Sequence, residues 1–459
     1  MPATRLPRSL PLGVAFAIAL ALSPATAEET DAPLVGPGAE TFTLDNGMEV
    51  VVIPDRRAPV VTHMVWYKVG SADEPDGQTG IAHFLEHLMF KGTSTHPEGE
   101  FSRVVSEIGG DENAFTSSDY TGYFQRVARD KLELVMSYEA DRMSNLVLSD
   151  AAVAPERKVV LEERAMRMEG EPGAQLGAAM DAVLYLRHPY GVPVIGWRED
   201  IEGLDREDAI AFYNRYYTPN NAVLVVAGDV TVNEVLAAAK ETYGKVARRA
   251  EPPPRQRIAA RELDIPREVS VSNPKVTVES VRMSWLAPSY RLAEPGEAEA
   301  LDVLAEALGG GSTSLLFKDL VVDRKIATSV GIYYRSNTWD MGTLSAYIVP
   351  RDGMGLEAAK AELLAAIDRA VNALDEDEVA RAKSRLEADT IYAQDSQQRM
   401  ARIFGASLVT GSTVEDVQTW PARIRAVTLA DVKSAAAAEL DPSTSVTGYL
   451  RKASEEQRS

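Results

Sequence analysis

The spacing of apolar positions changes along this chain, and each change marks an element. The run from Asn221 to Asp229, with Ala222, Val223, Leu224, Val225, Val226 and Ala227 between them, is unbroken and of strand length. It predicts a core strand covered on both faces. Residues 41–44 and 48–53 flank Asp45, Asn46 and Gly47, a strong hairpin signal. Further strands are expected over 60–69, 111–116 and 119–127, with His63 a strand residue that carries no chemistry. Helical periodicity covers 100–108, 131–146, 206–216 and 232–243. Residues 79–92 read as a short buried helix, with Lys91 in its last turn and Gly92 as its stop. Residues 155–168 read as another, with Pro155 in the first turn. His96 is expected in a solvent-exposed loop, and His188 in a loop over 188–191.

From Arg248 to Arg257 the chain turns charged, proline-rich and poor in apolar residues, which predicts a linker. Beyond it the same order of elements returns in weaker form. Strand patterns over 269–271 and 276–286 precede a helix over 297–308. Strands over 328–334 and 342–349, helices over 356–374 and 376–392, a helix over 429–440 and a strand over 445–450 follow. Two structurally similar α+β halves are therefore expected. The division is a signal peptide over 1–27, a first domain over 28–247, a linker over 248–266 and a second domain over 267–459.

The signal peptide rests on Arg5 and Arg8, an apolar run over 10–22, and Ala25-Thr26-Ala27 before Glu28. That run is too short for a membrane span. With no cysteine anywhere, lipid anchoring at an N-terminal cysteine and disulfides are excluded. An exported, periplasmic protein is expected. The formal net charge of -20 argues against nucleic acid and anionic membrane surfaces as partners.

The chemistry is concentrated in His83-Phe84-Leu85-Glu86-His87. His83 and His87 are one helical turn apart and Glu86 projects from the same side. A lone helix histidine is usually structural. Two, with a glutamate, on a helix otherwise built of Ile81, Phe84, Leu85 and Leu88 call for a bound partner, because buried ionisable groups cost several kcal/mol when uncompensated. This order is the inverted zinc-peptidase motif H-x-x-E-H, with the histidines as Zn²⁺ ligands and Glu86 acting on a zinc-bound water. In the helix over 155–168, Glu163 lies beside Val159, Val160 and Met166, and needs compensation on that apolar stripe. It is the expected third ligand, leaving one position open. Glu156 shares its face, either as a carboxylate that orients a ligand or as a charge complementing the helix dipole. Glu162 is expected in a surface ion pair with Lys158.

With these motifs the chain resembles the pitrilysin/insulinase family of zinc metallopeptidases, in its two-domain branch. The stretch from Gly70 to Gly92 resembles the family signature, and 156–163 resembles the segment supplying the distal ligand Glu163 and the auxiliary catalytic carboxylate Glu156. Gly110 to Tyr123, with Asn113, Ala114 and Phe115, resembles the substrate-binding strand. The resemblance implies two largely antiparallel sheets flanked by helices, the first domain catalytic and the second not. It also implies one Zn²⁺ per chain and endopeptidase activity on peptides or unfolded segments in a closed chamber. Substrate would add to a strand edge by main-chain hydrogen bonds. The alternative is a non-catalytic assembly or binding subunit of a related complex. One departure stands out. The family's arginine and tyrosine, seven residues apart in a C-terminal half, align with Val321 and Thr328. Arg324, Tyr333, Tyr334 and Arg335 are close but do not form the pair. A metal-free homologous subunit is expected to supply it within a hetero-oligomer.

Overall fold

The computed structural model describes residues 34–453, so the signal-peptide expectation lies outside the described residues. The first sheet contains β1 (Glu40–Thr43), β2 (Glu49–Pro54), β3 (Val60–Tyr67), β4 (Asp111–Thr116), β5 (Thr121–Ala128) and β6 (Ala222–Gly228), in the order β1-β2-β6-β3-β5-β4. The second contains β7 (Arg267–Asn273), β8 (Ser280–Ala287), β9 (Ala327–Arg335), β10 (Gly342–Pro350) and β11 (Val446–Lys452), in the order β7-β11-β8-β10-β9. Apart from β1, the two orders correspond strand for strand. Each sheet has a single parallel pair, β2 with β6 and β7 with β11, and is otherwise antiparallel. The apolar run at 222–228 is central in the first sheet and buried at every position, as its lack of alternation requires.

The helices Ile81–Leu88 and Glu297–Gly309 occupy corresponding places, each following the third inward strand of its sheet. Both start from a glycine in the left-handed region, Gly80 at φ 90 and Gly296 at φ 88. Aligning those glycines sets Glu299 at the place of His83, Asp302 at Glu86 and Val303 at His87. The second half thus keeps the frame and lacks the imidazoles.

Hydrophobic periodicity did not reveal two helices that tie the halves together. Helix Pro172–Tyr185, from the first half, buries Leu176, Met180 and Leu184 against the second sheet. Helix Gln397–Val409, from the second half, buries Met400, Ala401 and Phe404 against Met64, Trp66 and Val225 of the first. Each buried large side chain contributes about 1.5–3 kcal/mol, so neither sheet keeps its outer face covered without the other half. The helix Val414–Ala426 was also unanticipated.

The proline-rich stretch forms no helix or strand over 248–266, yet it is no loose tether. Arg257 is buried and pairs with Asp73 at 2.8 Å, Asp119 at 2.6 Å and Asp340 at 3.0 Å. Arg255 pairs with Asp73 at 3.2 Å. Among the described residues, no helix is long and apolar enough to cross a membrane.

Candidate metal centre

The motif helix is short because its ends are fixed by other elements. Glu74 caps its start, accepting the backbone N–H groups of Gly80 at 2.8 Å and Ala82 at 2.9 Å. It ends at Leu88, one turn before the expected stop. Lys91 therefore lies beyond the helix and donates to Glu156 at 2.7 Å and Glu98 at 3.0 Å. Ile81, Phe84, Leu85 and Leu88 pack into the first core, which leaves the polar side of the helix to His83, Glu86 and His87.

The second contributing helix runs Asp150–Arg164 and is capped by Ser149, whose side chain accepts from the Ala152 N–H. Pro155 is inside it, not in its first turn as expected. Ser149 and Asp150 supplied the stronger start signal. The glutamates seven apart do face the motif helix together. Of the apolar neighbours expected around Glu163, Val160 is buried, whereas Val159 and Met166 are exposed. Glu163 is half-buried because it faces the histidines and not because an apolar stripe surrounds it. Glu162 is exposed, as expected, but the anticipated pair with Lys158 does not form.

Glu163 Oε2 stands 3.3 Å from His87 Nε2 and 3.6 Å from His83 Nε2. One donor atom from each of the three lies within 4.8 Å of the others, and Glu163 Oε2 is buried without a hydrogen-bond partner. Two imidazole nitrogens and an orphaned carboxylate oxygen at these separations fit a tetrahedral Zn²⁺ with bonds of about 2.0–2.2 Å. Arg167 holds the other oxygen, Oε1, at 2.6 Å from a π-helical turn, Ala165–Glu169, that follows the helix. That turn is a device common at functional sites.

Glu156 does not act as a dipole charge, since the helix starts six residues earlier. Its Oε1 accepts from His87 Nδ1 at 2.8 Å. Burial works against its ionised form, but hydrogen bonds from Lys91 and His87 prevail and hold it below the ordinary range. The proton therefore sits on Nδ1 and the lone pair on Nε2 faces Glu163. Burial, together with the nearby His87 and Arg167, pushes His83 down to about 3, so its ring is neutral at pH 7. His83 Nδ1 is buried with no partner among the described residues. Burial raises Glu86 above its ordinary value, although the hydroxyl of Thr116 donates to its Oε2 at 2.5 Å.

These groups line a cleft of about 650 Å³ bordered by β4, Arg167 and Ile195. β4 is the edge of its sheet. Asn113, Ala114 and Phe115 all border this cleft, and alternation divides their side chains between two faces. Ala114 and Thr116 face the motif helix, while Phe115 turns to the other face, against Trp66 at 4.9 Å, and Asn113 follows Phe115 by the two-residue period. Thr116 and Arg167 were missed from sequence. Arg167 stands one helical turn after Glu163, so the helical period was available for it. His63 is a buried strand residue, bonded to Gln125 and Tyr243 at 2.8 Å each. His96 is half-buried, 3.0 Å from Glu100 and with its ring tilted against that of Tyr138 at 4.3 Å. Glu100 on the following helix and Tyr138 on helix Leu132–Asn145 cover it, and periodicity alone does not orient them.

A zinc-type donor set beside a buried carboxylate, on a duplicated α+β frame, defines the class as an inverted-motif metallopeptidase scaffold. Two family models match the chain: insulinase (peptidase family M16) over residues 49–194 and the peptidase M16 inactive domain over 203–386. The chain is 31% identical over 377 residues to zinc protease PqqE of Helicobacter pylori, covering 81% of this chain and 84% of that protein. It is 34% identical over 381 residues to an uncharacterized zinc protease of Mycobacterium leprae, covering 80% and 82%. The crystal structure of a protease from Helicobacter pylori matches with a TM-score of 0.84 at 29% identity, over 90% of this chain and 99% of that one. The chain belongs to the pitrilysin/insulinase (M16) family of zinc peptidases.

Proposed function

We propose that this chain is a zinc-dependent endopeptidase of exported, periplasmic location, holding one Zn²⁺ on His83, His87 and Glu163. The observation that carries the reading is the convergence of those donors with Glu86 in a cleft bordered by the sheet edge β4. When bound, the metal supplies Lewis acidity to a water and to the scissile carbonyl. Every other part of the chemistry falls to the chain. Glu86, on the motif helix, takes the proton from the attacking water and later delivers it to the leaving amine. Glu156 fixes the tautomer and tilt of His87. An extended substrate pairs with the outer edge of β4, and the residues facing the same side as Ala114 and Thr116 lie toward Glu86.

The arginine and tyrosine missing at Val321 and Thr328, which in the family hold the substrate and help polarise the scissile carbonyl, come from a metal-free homologous subunit. Supporting this, Val321 packs against the second core and the exposed Thr328 donates to the Val349 carbonyl at 3.2 Å. Neither position carries a group able to polarise a carbonyl.

The test is peptide hydrolysis with zinc content measured in parallel, on the chain alone and with a metal-free homologue. Wild type with the homologue cleaves and holds zinc. Glu86→Gln holds zinc and loses turnover by about 10²-fold or more. Retained turnover in Glu86→Gln rules out the general-base role, and equal rates with and without a homologue rule out the donated pair.

A further inference from the structure

Arg402 has a position that the chemistry at the metal centre does not account for. Helix 397–409 lies over β6 and β3. From there Arg402 reaches outward across β5 to the edge strand. Its guanidinium carbon stands 5.2 Å from the Phe124 ring centre on β5 and 4.4 Å from the Phe115 ring centre on β4. Phe115 itself leans inward over Gly122, where a Cβ would meet its ring, and against Trp66. This leaves the outer rim of β4 on that face to the arginine. Arg402 forms no ion pair or hydrogen bond with any described residue. Its partners are two ring faces. The only acidic residue on that face of β4, Asp111, stands at the opposite end of the strand. Arg335, at the end of β9, adds a second positive charge that with Arg402 bears on the Tyr120 hydroxyl. In a chain of net charge -20, this is a local positive rim whose neighbouring carboxylate at Tyr120, Asp119, is buried.

We propose that Arg402 is a specificity-determining residue: it selects peptides with an acidic side chain at the positions of a β4-paired strand that face helix 397–409. The inference rests on the endopeptidase reading. It concerns the opposite face of the substrate from the scissile carbonyl. Cross-strand neighbours share a face, so substrate residues beside Ala114 and Thr116 face Glu86 and those between them face Arg402. An arginine already held over a ring loses little freedom on accepting a carboxylate.

The test scans Glu, Gln and Lys through each position of one neutral reference peptide, with the chain in its zinc-loaded form and any homologous partner present. In wild type, Glu at alternate positions lowers KM about three- to fivefold relative to Lys, the size of an exposed ion pair. The preference shrinks in high salt. Arg402→Lys keeps its sign and Arg402→Glu reverses it. The same peptides are titrated onto the Glu86→Gln chain, which reads the preference without turnover. A Glu-over-Lys preference that is absent, or that is the same in Arg402→Glu as in wild type, overturns the inference. Binding preference that follows Arg402 without any hydrolysis by wild type sinks the endopeptidase reading and leaves this assignment standing.

Discussion

Glu156 Oε1 lies 2.8 Å from Nδ1 of His87, the nitrogen turned away from the donor set. This bond decides which nitrogen is bare, and Lys91, at 2.7 Å from the other carboxylate oxygen, keeps Glu156 ionised. Glu156→Gln should lower zinc affinity about 10- to 100-fold with little change in melting temperature. Competition against a chelator reads it. Unchanged affinity would return Glu156 to a purely structural role.

Arg167 Nη2 at 2.6 Å from Glu163 Oε1 holds one carboxylate oxygen so that the other faces the histidines. Since Arg167 is largely exposed, Arg167→Gln should weaken zinc binding only a few-fold, by roughly 1 kcal/mol or less. Glu163→Ala should abolish stoichiometric zinc. Equal metal loss in both variants would mean that the arginine matters more than its exposure allows.

Gly405 sits where helix 397–409 crosses the first sheet. A Cβ there would enter the indole of Trp66, which is 1% exposed. Alanine would normally stabilise a helix interior by about 1 kcal/mol. Here overpacking should win, and Gly405→Ala should destabilise by about 1–3 kcal/mol. Thermal unfolding measures it. A stabilised variant would show that the crossing is looser than described.

The two helices that cross between halves were hidden because their buried faces complete someone else's sheet. In helix 397–409 the buried residues include Ala401 and Gly405 as well as Met400 and Phe404, and small residues carry no hydrophobic signal. In helix 172–185 the glycines at 173 and 177 weaken the helical pattern. By contrast the strand over 222–228 and the motif helix were legible, since one is apolar throughout and the other has ionisable groups at a single spacing. Glu163 was found for a partly wrong reason. Its face was set by the seven-residue spacing from Glu156, whereas the apolar stripe invoked for it includes the exposed Val159 and Met166. The pairing of Thr116 with Glu86 joins a strand to a helix thirty positions away, which no local period encodes.

Asp302 stands where Glu86 stands in the first half, but its setting is different. Tyr290 donates to it at 2.5 Å and Trp420 donates to Tyr290 at 2.6 Å. Burial pushes Asp302 up to about 7. An aspartate ionises near 3.8 when unfolded, so between that pH and about 7 folding takes up a proton and stability falls as pH rises. Asp302→Asn removes the ionisation and keeps an acceptor for Tyr290. Its advantage over wild type should therefore grow from acid to neutral pH, by roughly 4 kcal/mol between pH 3 and pH 8. Melting curves at acid and alkaline pH check this, and an advantage that is the same at both would be contrary to it.

Arg257 is the contact through which the proline-rich stretch holds both halves. Its loss would affect its three carboxylates unequally. Asp73 keeps Arg255 at 3.2 Å, and Asp340 keeps His188 at 3.2 Å and Arg291 at 3.6 Å. Asp119, 1% exposed, would keep only the Tyr190 hydroxyl at 2.6 Å and the Trp339 N–H at 3.1 Å at its carboxylate oxygens. Those donors are neutral and cannot offset a buried charge. Arg257→Met should then cost about 3–5 kcal/mol, most of it from the stranded Asp119. Asp119→Asn in the Arg257→Met background should recover a large part of the loss, whereas Asp119→Asn alone should destabilise by leaving the arginine short of a partner. A double-mutant cycle on thermal unfolding measures the coupling. If the two losses simply add, the pair is independent, and the linker is held by its packing on Trp339 and Tyr190 instead.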